Sequence, residues 1–341
     1  MTTLLETTFA RYLPFIEEEM RAVVQTAEPR HTGLFGMLHY HMGWADAAFN
    51  PYQARTGKRI RPMLCLLSCE ACGGDWEQAL PAAAALELMH NFTLIHDDIE
   101  DGDEIRHGRA TIWSSWGVAQ GVNVGDTLFA LAQLALVRLS QRGVPAQTIV
   151  EAVHCLNNTC VSLTGGQYLD IGFESRAQVS IADYLAMVEG KTAALASCSC
   201  VMGTLVAAAP AAQREHLGMF GYHMGMAFQM RDDVLGIWGD PDVTGKPAGA
   251  DIARRKKSLP ILHGLERSAE LRALLARDTL SADDVRRATN LLEETNSRAY
   301  AERLTREHHS QALAALEAAD VQGQAAQALY ELAQALLDRE H

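Results

Sequence analysis

The chain has 341 residues, 48% hydrophobic and only 6% aromatic, with a formal net charge of −13. That length is long for one domain and short for three, and the Ala- and Leu-rich composition supplies a large helical core. The acidic balance, with no basic stripe, excludes nucleic acid as the partner.

The opening, Met1-Thr2-Thr3-Leu4-Leu5-Glu6, has no positive n-region or apolar h-region, so no secretory signal is expected. Leu4 to Ala27 reads as an amphipathic helix with Leu5, Phe9, Leu13 and Ile16 on one stripe. A looser region containing Gly33, Gly36 and Gly43 runs to the turn at Asn50-Pro51. Gly57-Lys58-Arg59-Ile60-Arg61-Pro62 then sets three cations in four residues at a helix start, where backbone N–H groups also favour anions. The helix carries Cys65, Cys69 and Cys72 at helical spacing and stops at Gly73-Gly74. No second Cys/His pair follows at zinc-site spacing, so the cysteines read as reduced core thiols of a cytoplasmic protein.

An Ala/Leu-rich run from Gln78 predicts a helix ending in His96-Asp97-Asp98-Ile99-Glu100-Asp101, with Gly102 as its stop. Asp97 and Asp101 are four apart and share a face, with Asp98 beside them. Six of the eight residues from Asp97 to Glu104 are acidic. Like charges at this spacing cost about 0.2–0.5 kcal/mol per pair, and the negative end of the helix dipole adds to that. A hard divalent ion such as Mg²⁺, held by one or two carboxylates and a substrate phosphate, suits this oxygen-only set. His90 lies two turns earlier, roughly 10 Å along the same face; Arg106 and Arg109 follow the acidic run and suit either its neutralisation or a phosphate.

Further helices are expected over Thr111–Ser140, Thr148–Leu169, Ile181–Ala209 and Arg214–Leu235. Lys191-Thr192 interrupts an otherwise Ala/Ser/Cys/Met helix, and a buried Lys needs an anionic partner. The uncharged stretch Thr192–Gln213 is long enough to span a bilayer, but its small residues and Pro210 fit close packing in a soluble core better, so no membrane span is expected. Phe228-Gln229-Met230-Arg231-Asp232-Asp233 repeats the design of an Asp pair at an apolar helix end. Two such ends can face each other across a cavity and hold metal ions against one diphosphate. The loop Gly239–Lys246 lacks the spacing of a nucleotide-binding loop, and Lys256 and Lys257 follow it. From Ser258 on, helix is broken only near Ser281-Ala282-Asp283 and Gln322-Gly323, and no sheet is expected. The expectation is one all-α domain over residues 1–341.

These motifs, in this order, resemble the trans-isoprenyl diphosphate synthases, which include farnesyl and geranylgeranyl diphosphate synthases. Asp97-Asp98-Ile99-Glu100-Asp101 matches the family's DDxxD, Gly57–Pro62 its GKRxRP and Gly190-Lys191-Thr192-Ala193 its GKT segment. Phe228-Gln229 with Asp232-Asp233, then Gly245-Lys246, Asp251 and Lys256, resemble its second aspartate-rich region. The likeness runs from about Gly57 to Leu262. It implies a helical bundle around a deep central cavity, a homodimer, and head-to-tail condensation of isopentenyl diphosphate with dimethylallyl, geranyl or farnesyl diphosphate.

Under this resemblance Asp97, Asp98, Asp101, Asp232 and Asp233 hold three Mg²⁺ ions, or Mn²⁺ in their place, with Asp232 the chief ligand of the second motif. Arg106, Lys191 and Lys246 grip the allylic diphosphate, and Lys58, Arg61 and His90 hold isopentenyl diphosphate. Thr192, Gln229 and Lys256 complete the catalytic set, and Gln167 and Asp170 match the polar GQxxD wall. Two departures stand out: Gly236 replaces a frequent third Asp, and His107 replaces the second Arg of an Arg-Arg pair, so the isopentenyl diphosphate pocket either is weaker or uses Arg109. Phe92 and Thr93, five and four residues before Asp97, set the depth available to the product, and a Phe-Thr pair here favours C20 over C15. The rival readings are a class I terpene cyclase, for which the basic pocket is superfluous, and a non-catalytic subunit of a heteromeric synthase, which typically lacks one acidic motif.

Overall fold

The structure, a computed structural model, describes residues 3–54, 57–176, 178–240 and 248–337. Lys246 lies outside the described residues. The chain is almost wholly helical and groups into two compact units.

The first unit comprises residues 1–157, 199–210 and 322–326. Helix α1 (Leu4–Val23) starts in a reciprocal cap between Thr3 and Glu6 and ends four residues short of the predicted Ala27. The region read as loose contains a second helix, α2 (Thr32–His41). Its two glycines, each costing about 1 kcal/mol in a helix, hid it, while burial of Met37, Leu38 and Tyr40 supports it. Helix α3 (Ile60–Ala71) leads to α4 (Leu80–Glu100), whose Ala82, Ala83, Ala84, Ala85 and Leu86 have no exposed surface. A helix buried all round belongs at the centre of a core, and α4 packs against α1, α3 and the later α6. Its last helical residue is Glu100, with the expected Asp101 as the cap and Gly102 at φ 66°.

A hairpin of two-residue strands, β1 (Ile105–Arg106) and β2 (Arg109–Ala110), follows. Strands this short carry no alternation, so nothing in the sequence announced them. The helix predicted over Thr111–Ser140 is two, α5 (Ile112–Trp116) and α6 (Val118–Val137), because Gly117 between them takes φ 90°. Helix α7 spans Ala146–Ser175.

The second unit comprises residues 158–198, 211–321 and 327–341. The predicted helix Ile181–Ala209 is α8 (Ile181–Val188), a π-helical turn over Glu189–Ala193, and α9 (Ala194–Val206). Helix α10 (Ala211–Trp238) is followed by α11 (Ala250–Ala253), α12 (Leu259–Arg267), α13 (Ala269–Leu275), α14 (Ala282–Glu294), α15 (Ser297–Ala318) and α16 (Gly323–Leu337). The long α10 and α15 pack together, and Phe173, Tyr184, Met230, Val234 and Leu259 belong to the core beside α10. The break at Ser281 is a capping box in which Ser281 and Asp284 cap each other's backbone.

The seven cysteines form no disulfide, and Cys65, Cys69, Cys198 and Cys200 are buried. Two stretches, Val118–Arg142 and Ile181–Val206, are long and apolar enough to cross a membrane by length and composition. About half of each apolar window, 44% and 50%, is buried in protein, as in core helices that pass the same test.

Candidate active site

In the first unit the three aspartates at the end of α4 have different surroundings. Asp98 is 2% exposed and accepts a 2.6 Å hydrogen bond from Arg106 Nε, while Arg106 Nη2 reaches Asp97 at 3.4 Å. Burial pushes the Asp98 carboxyl up to about 6, against the opposing pull of Arg106. Asp97 is half-buried and Asp101 exposed. Among the described residues no three His, Cys, Asp or Glu side chains converge on a metal position. One or two carboxylates are an oxygen-only donor set of the kind a hard cation takes when substrate phosphate and water complete its shell.

Beside this helix end lies a cavity of about 100 Å³ whose lining includes His41, His90, Asn91, Asp98, Arg106 and His107. Of Lys58, Arg61 and His90, His90 lines it and the other two do not. Lys58 is exposed and lines a neighbouring cavity of about 610 Å³ alongside α1, and Arg61 Nε is buried without a hydrogen-bond partner. Burial lowers the Arg61 pKa against the attraction of Glu87. Burial, then Arg61 and Arg106, also holds the His90 ring neutral, well below its usual range.

The middle cation of the basic motif has turned inward. Arg59 adopts a left-handed backbone, φ 52°, and its side chain is 4% exposed, paired with Glu17 at 2.9 Å and Glu87 at 2.7 Å. It buttresses the loop against α1 and α4, a role that composition cannot separate from those of Lys58 and Arg61. Arg59→Ala strands Glu87 in the core and is expected to cost roughly 3–5 kcal/mol in chemical denaturation. A loss below about 1 kcal/mol would refute the buttress.

Arg109, the suggested substitute for a second diphosphate-binding Arg, lines the same cavity and also holds the backbone beside it. It donates to the main-chain oxygens of Tyr40 and Ala45, both at 2.9 Å, and lies 3.9 Å over the Tyr40 ring. His107 and Gly108 form the hairpin turn with φ 52° and 76°, a conformation that His tolerates better than most residues.

On the same α4, Phe92 is 9% exposed and meets the His96 ring at 4.9 Å and the Phe129 ring of α6 at 5.5 Å, both edge-on. The Thr93 hydroxyl donates to the His90 carbonyl at 2.8 Å. Phe129 lies far from any motif, and only the structure reveals that it backs Phe92.

In the second unit, Gly166 of α7 and Gly190 of the π turn bring two backbones together. A Cβ at 166 would overlap Lys191 N, and one at 190 would meet the Ser162 carbonyl. This approach sets Lys191 Nζ 2.6 Å from Asp170 Oδ2, so the Lys, half-buried and not buried as expected, finds an anion within the protein. Thr192 donates to Gln229 at 3.1 Å, and Gln229 donates to Asp233 at 3.2 Å.

Asp233 is 1% exposed and also accepts from Tyr184 OH at 2.6 Å and Leu259 N at 3.0 Å, with Lys256 Nζ at 3.5 Å. Burial and Asp233 keep the Tyr184 phenol protonated, and Asp233 chiefly holds Lys256 charged. Asp233 thus ties α10 to its neighbours, while Asp232 is half-buried. No sequence signal marked Tyr184. The glycine in place of a third Asp has a steric reason: a Cβ at 236 would overlap the Asp251 carboxylate.

The polyprenyl synthetase family model matches residues 43–292. A geranylgeranyl diphosphate synthase of Mycobacterium tuberculosis is 44% identical over 301 residues, 87% of this chain and 84% of its own. A (2E,6E)-farnesyl diphosphate synthase of Mycobacterium bovis is 38% identical over 312 residues, 89% and 86% of the two chains. Among solved structures, the polyprenyl synthetase from Streptomyces coelicolor A3(2) matches with a TM-score of 0.89 at 36% identity, covering 97% of this chain and 99% of that one.

Proposed function

We propose, for a chain that belongs to the polyprenyl synthetase family and is a prenyltransferase making prenyl diphosphates, that its product is geranylgeranyl diphosphate, C20, formed by Mg²⁺-dependent head-to-tail condensation. The observation that carries this reading is Phe92, buried against Phe129 five residues before Asp97, as a floor for the growing chain. The higher identity to a geranylgeranyl-named than to a farnesyl-named relative supports it.

Asp97, Asp101 and Asp232 would carry the metal, with Asp98 and Asp233 holding Arg106 and the α10 network in place. Bound Mg²⁺ supplies positive charge to the departing diphosphate. Arg106 and Lys191 bind oxygens of the allylic diphosphate, and His90, Lys58 and Arg61 bind isopentenyl diphosphate. The double bond of isopentenyl diphosphate attacks the allylic carbon as its diphosphate leaves, and that diphosphate takes the final proton, so no protein base is required. Residues 1–341 are read as one catalytic domain.

Exposed apolar residues support a homodimer: Val118, Val122, Leu134 and Val137 on α6 in the first unit, and Val161, Tyr168 and Ile171 on α7 in the second. Seven cysteines without a disulfide are in keeping with a cytoplasmic location.

The deciding experiment incubates the protein with isopentenyl diphosphate, Mg²⁺ and each of dimethylallyl, geranyl and farnesyl diphosphate, reading products by mass spectrometry. Geranylgeranyl diphosphate is expected from all three. A C15 endpoint with farnesyl diphosphate untouched would overturn the C20 assignment, and a cyclic hydrocarbon formed without isopentenyl diphosphate would point to a cyclase. His107→Arg is expected to lower KM for isopentenyl diphosphate at neutral pH by restoring a permanent charge beside Arg106. An unchanged constant from pH 6 to pH 8 in both forms would show that His107 does not touch the diphosphate.

A further inference from the structure

We infer that His41, which no motif includes, contacts the diphosphate of isopentenyl diphosphate and takes up a proton as that group binds. The inference rests on reading the 100 Å³ cavity as the isopentenyl diphosphate pocket. His41 is the last residue of α2 and lines that cavity, with its Nε2 buried and without a hydrogen-bond partner. Buried polar atoms are seldom left so, and an exception in a cavity wall marks a place for a ligand. The arginines around it are already engaged: Arg59 with Glu17 and Glu87, Arg106 with Asp97 and Asp98, and Arg109 with two carbonyls.

The hydrogen-bond chain behind His41 sets its tautomer. Asn91 Nδ2 donates to the Glu87 carbonyl at 2.8 Å and to Glu87 Oε1 at 3.1 Å. A flipped amide would turn its oxygen onto these two acceptors, so Asn91 offers His41 only its Oδ1. Asn91 beside the His41 ring opposes the effect of burial and favours the charged ring. With Nε2 lacking a partner, an Asn91 oxygen beside the ring selects the tautomer that carries its hydrogen on Nδ1. Neutral His41 therefore points a lone pair from Nε2, which cannot bind a phosphate oxygen. A proton taken from solvent onto Nε2 makes it a charge-assisted donor.

The groups around His41 decide when this happens. Arg59 faces it from the loop before α3, and Arg106, His107 and Arg109 from the hairpin; α4 contributes Glu87, His90 and Asp98. Burial first, then Arg106, holds the His41 pKa down to about 3. An entering diphosphate reverses the sign of the local field. The pKa of His41 is then higher in the complex than in the free protein, so its contribution to affinity is lost as pH rises through the complex value.

Calorimetric titration of the full chain with isopentenyl diphosphate, in buffers of different ionisation enthalpy at one pH, counts the protons taken up. Wild type is expected to take up close to one more proton per ligand than His41→Gln. The variant should raise KM for isopentenyl diphosphate about tenfold below neutral pH, with kcat and the allylic KM within twofold. Equal uptake in the two proteins, loss of uptake only in His90→Gln, or equal rises in both KM values would overturn the assignment. Imidazole ¹⁵N spectra of the unmutated protein test it independently of variant folding: inorganic pyrophosphate should move His41 Nε2 to the protonated position, and an unmoved resonance refutes it. Absence of both binding and turnover with isopentenyl diphosphate in wild type would instead refute the reading of the pocket itself.

Discussion

Asp97→Ala and Asp101→Ala are each expected to reduce turnover at least about a hundredfold at saturating Mg²⁺, because each removes a ligand for charge that acts as the diphosphate departs. Their stabilities should differ. Asp101 is exposed at the negative end of the α4 dipole among like charges, so its removal should raise stability by a few tenths of a kcal/mol. Asp97 stands 3.4 Å from Arg106, and the lost attraction offsets the relieved repulsion, leaving stability close to wild type. Product formation and thermal unfolding, measured on the same preparations, check both halves. A variant that kept near wild-type rate at saturating Mg²⁺ would remove its aspartate from the metal set.

Phe92→Ala is expected to yield products longer by one or more five-carbon units. A chain growing from the Asp97 end must run along α4, and Phe92 lies roughly 7.5 Å deeper along that axis. The ring is nearly buried, so truncation should cost about 3–5 kcal/mol, part of it the edge-on contacts with His96 and Phe129. Phe129 is half-buried and can turn into the space left by Phe92. Phe92→Ala/Phe129→Ala should therefore lengthen the product further than the single change. Mass spectrometry of the dephosphorylated products reads the result. A folded, active Phe92→Ala enzyme that stops at the wild-type length would place the floor elsewhere.

Both predictions were legible in the sequence because they depend on spacing along one helix. Residues four and five apart in α4 keep the same relation wherever the helix lies, so the shared face of Asp97 and Asp101, and the depth of Phe92, follow from a 3.6-residue period. The same holds for the Gly102 stop, the break at Ser281 and the all-α class. The helix α2 escaped notice because its two glycines argued against it, and the break at Gly117 because a single positive φ leaves no periodic trace.

What only the tertiary structure decided is which of several chemically equal residues does which task. In composition Lys58, Arg59 and Arg61 are three cations, yet Arg59 is turned inward onto the buried Glu87 and the half-buried Glu17. Asp98 and Asp233 match metal-site motifs, but each meets partners from elements distant in sequence, Arg106 of the hairpin for one and Tyr184 and Leu259 for the other. His41, with its orphaned nitrogen, shares a cavity wall with Asn91 and Glu87, 50 and 46 residues away in the chain. Helical period is a local property and is written in the sequence; burial and hydrogen-bond partnership arise between segments, and they set protonation and role.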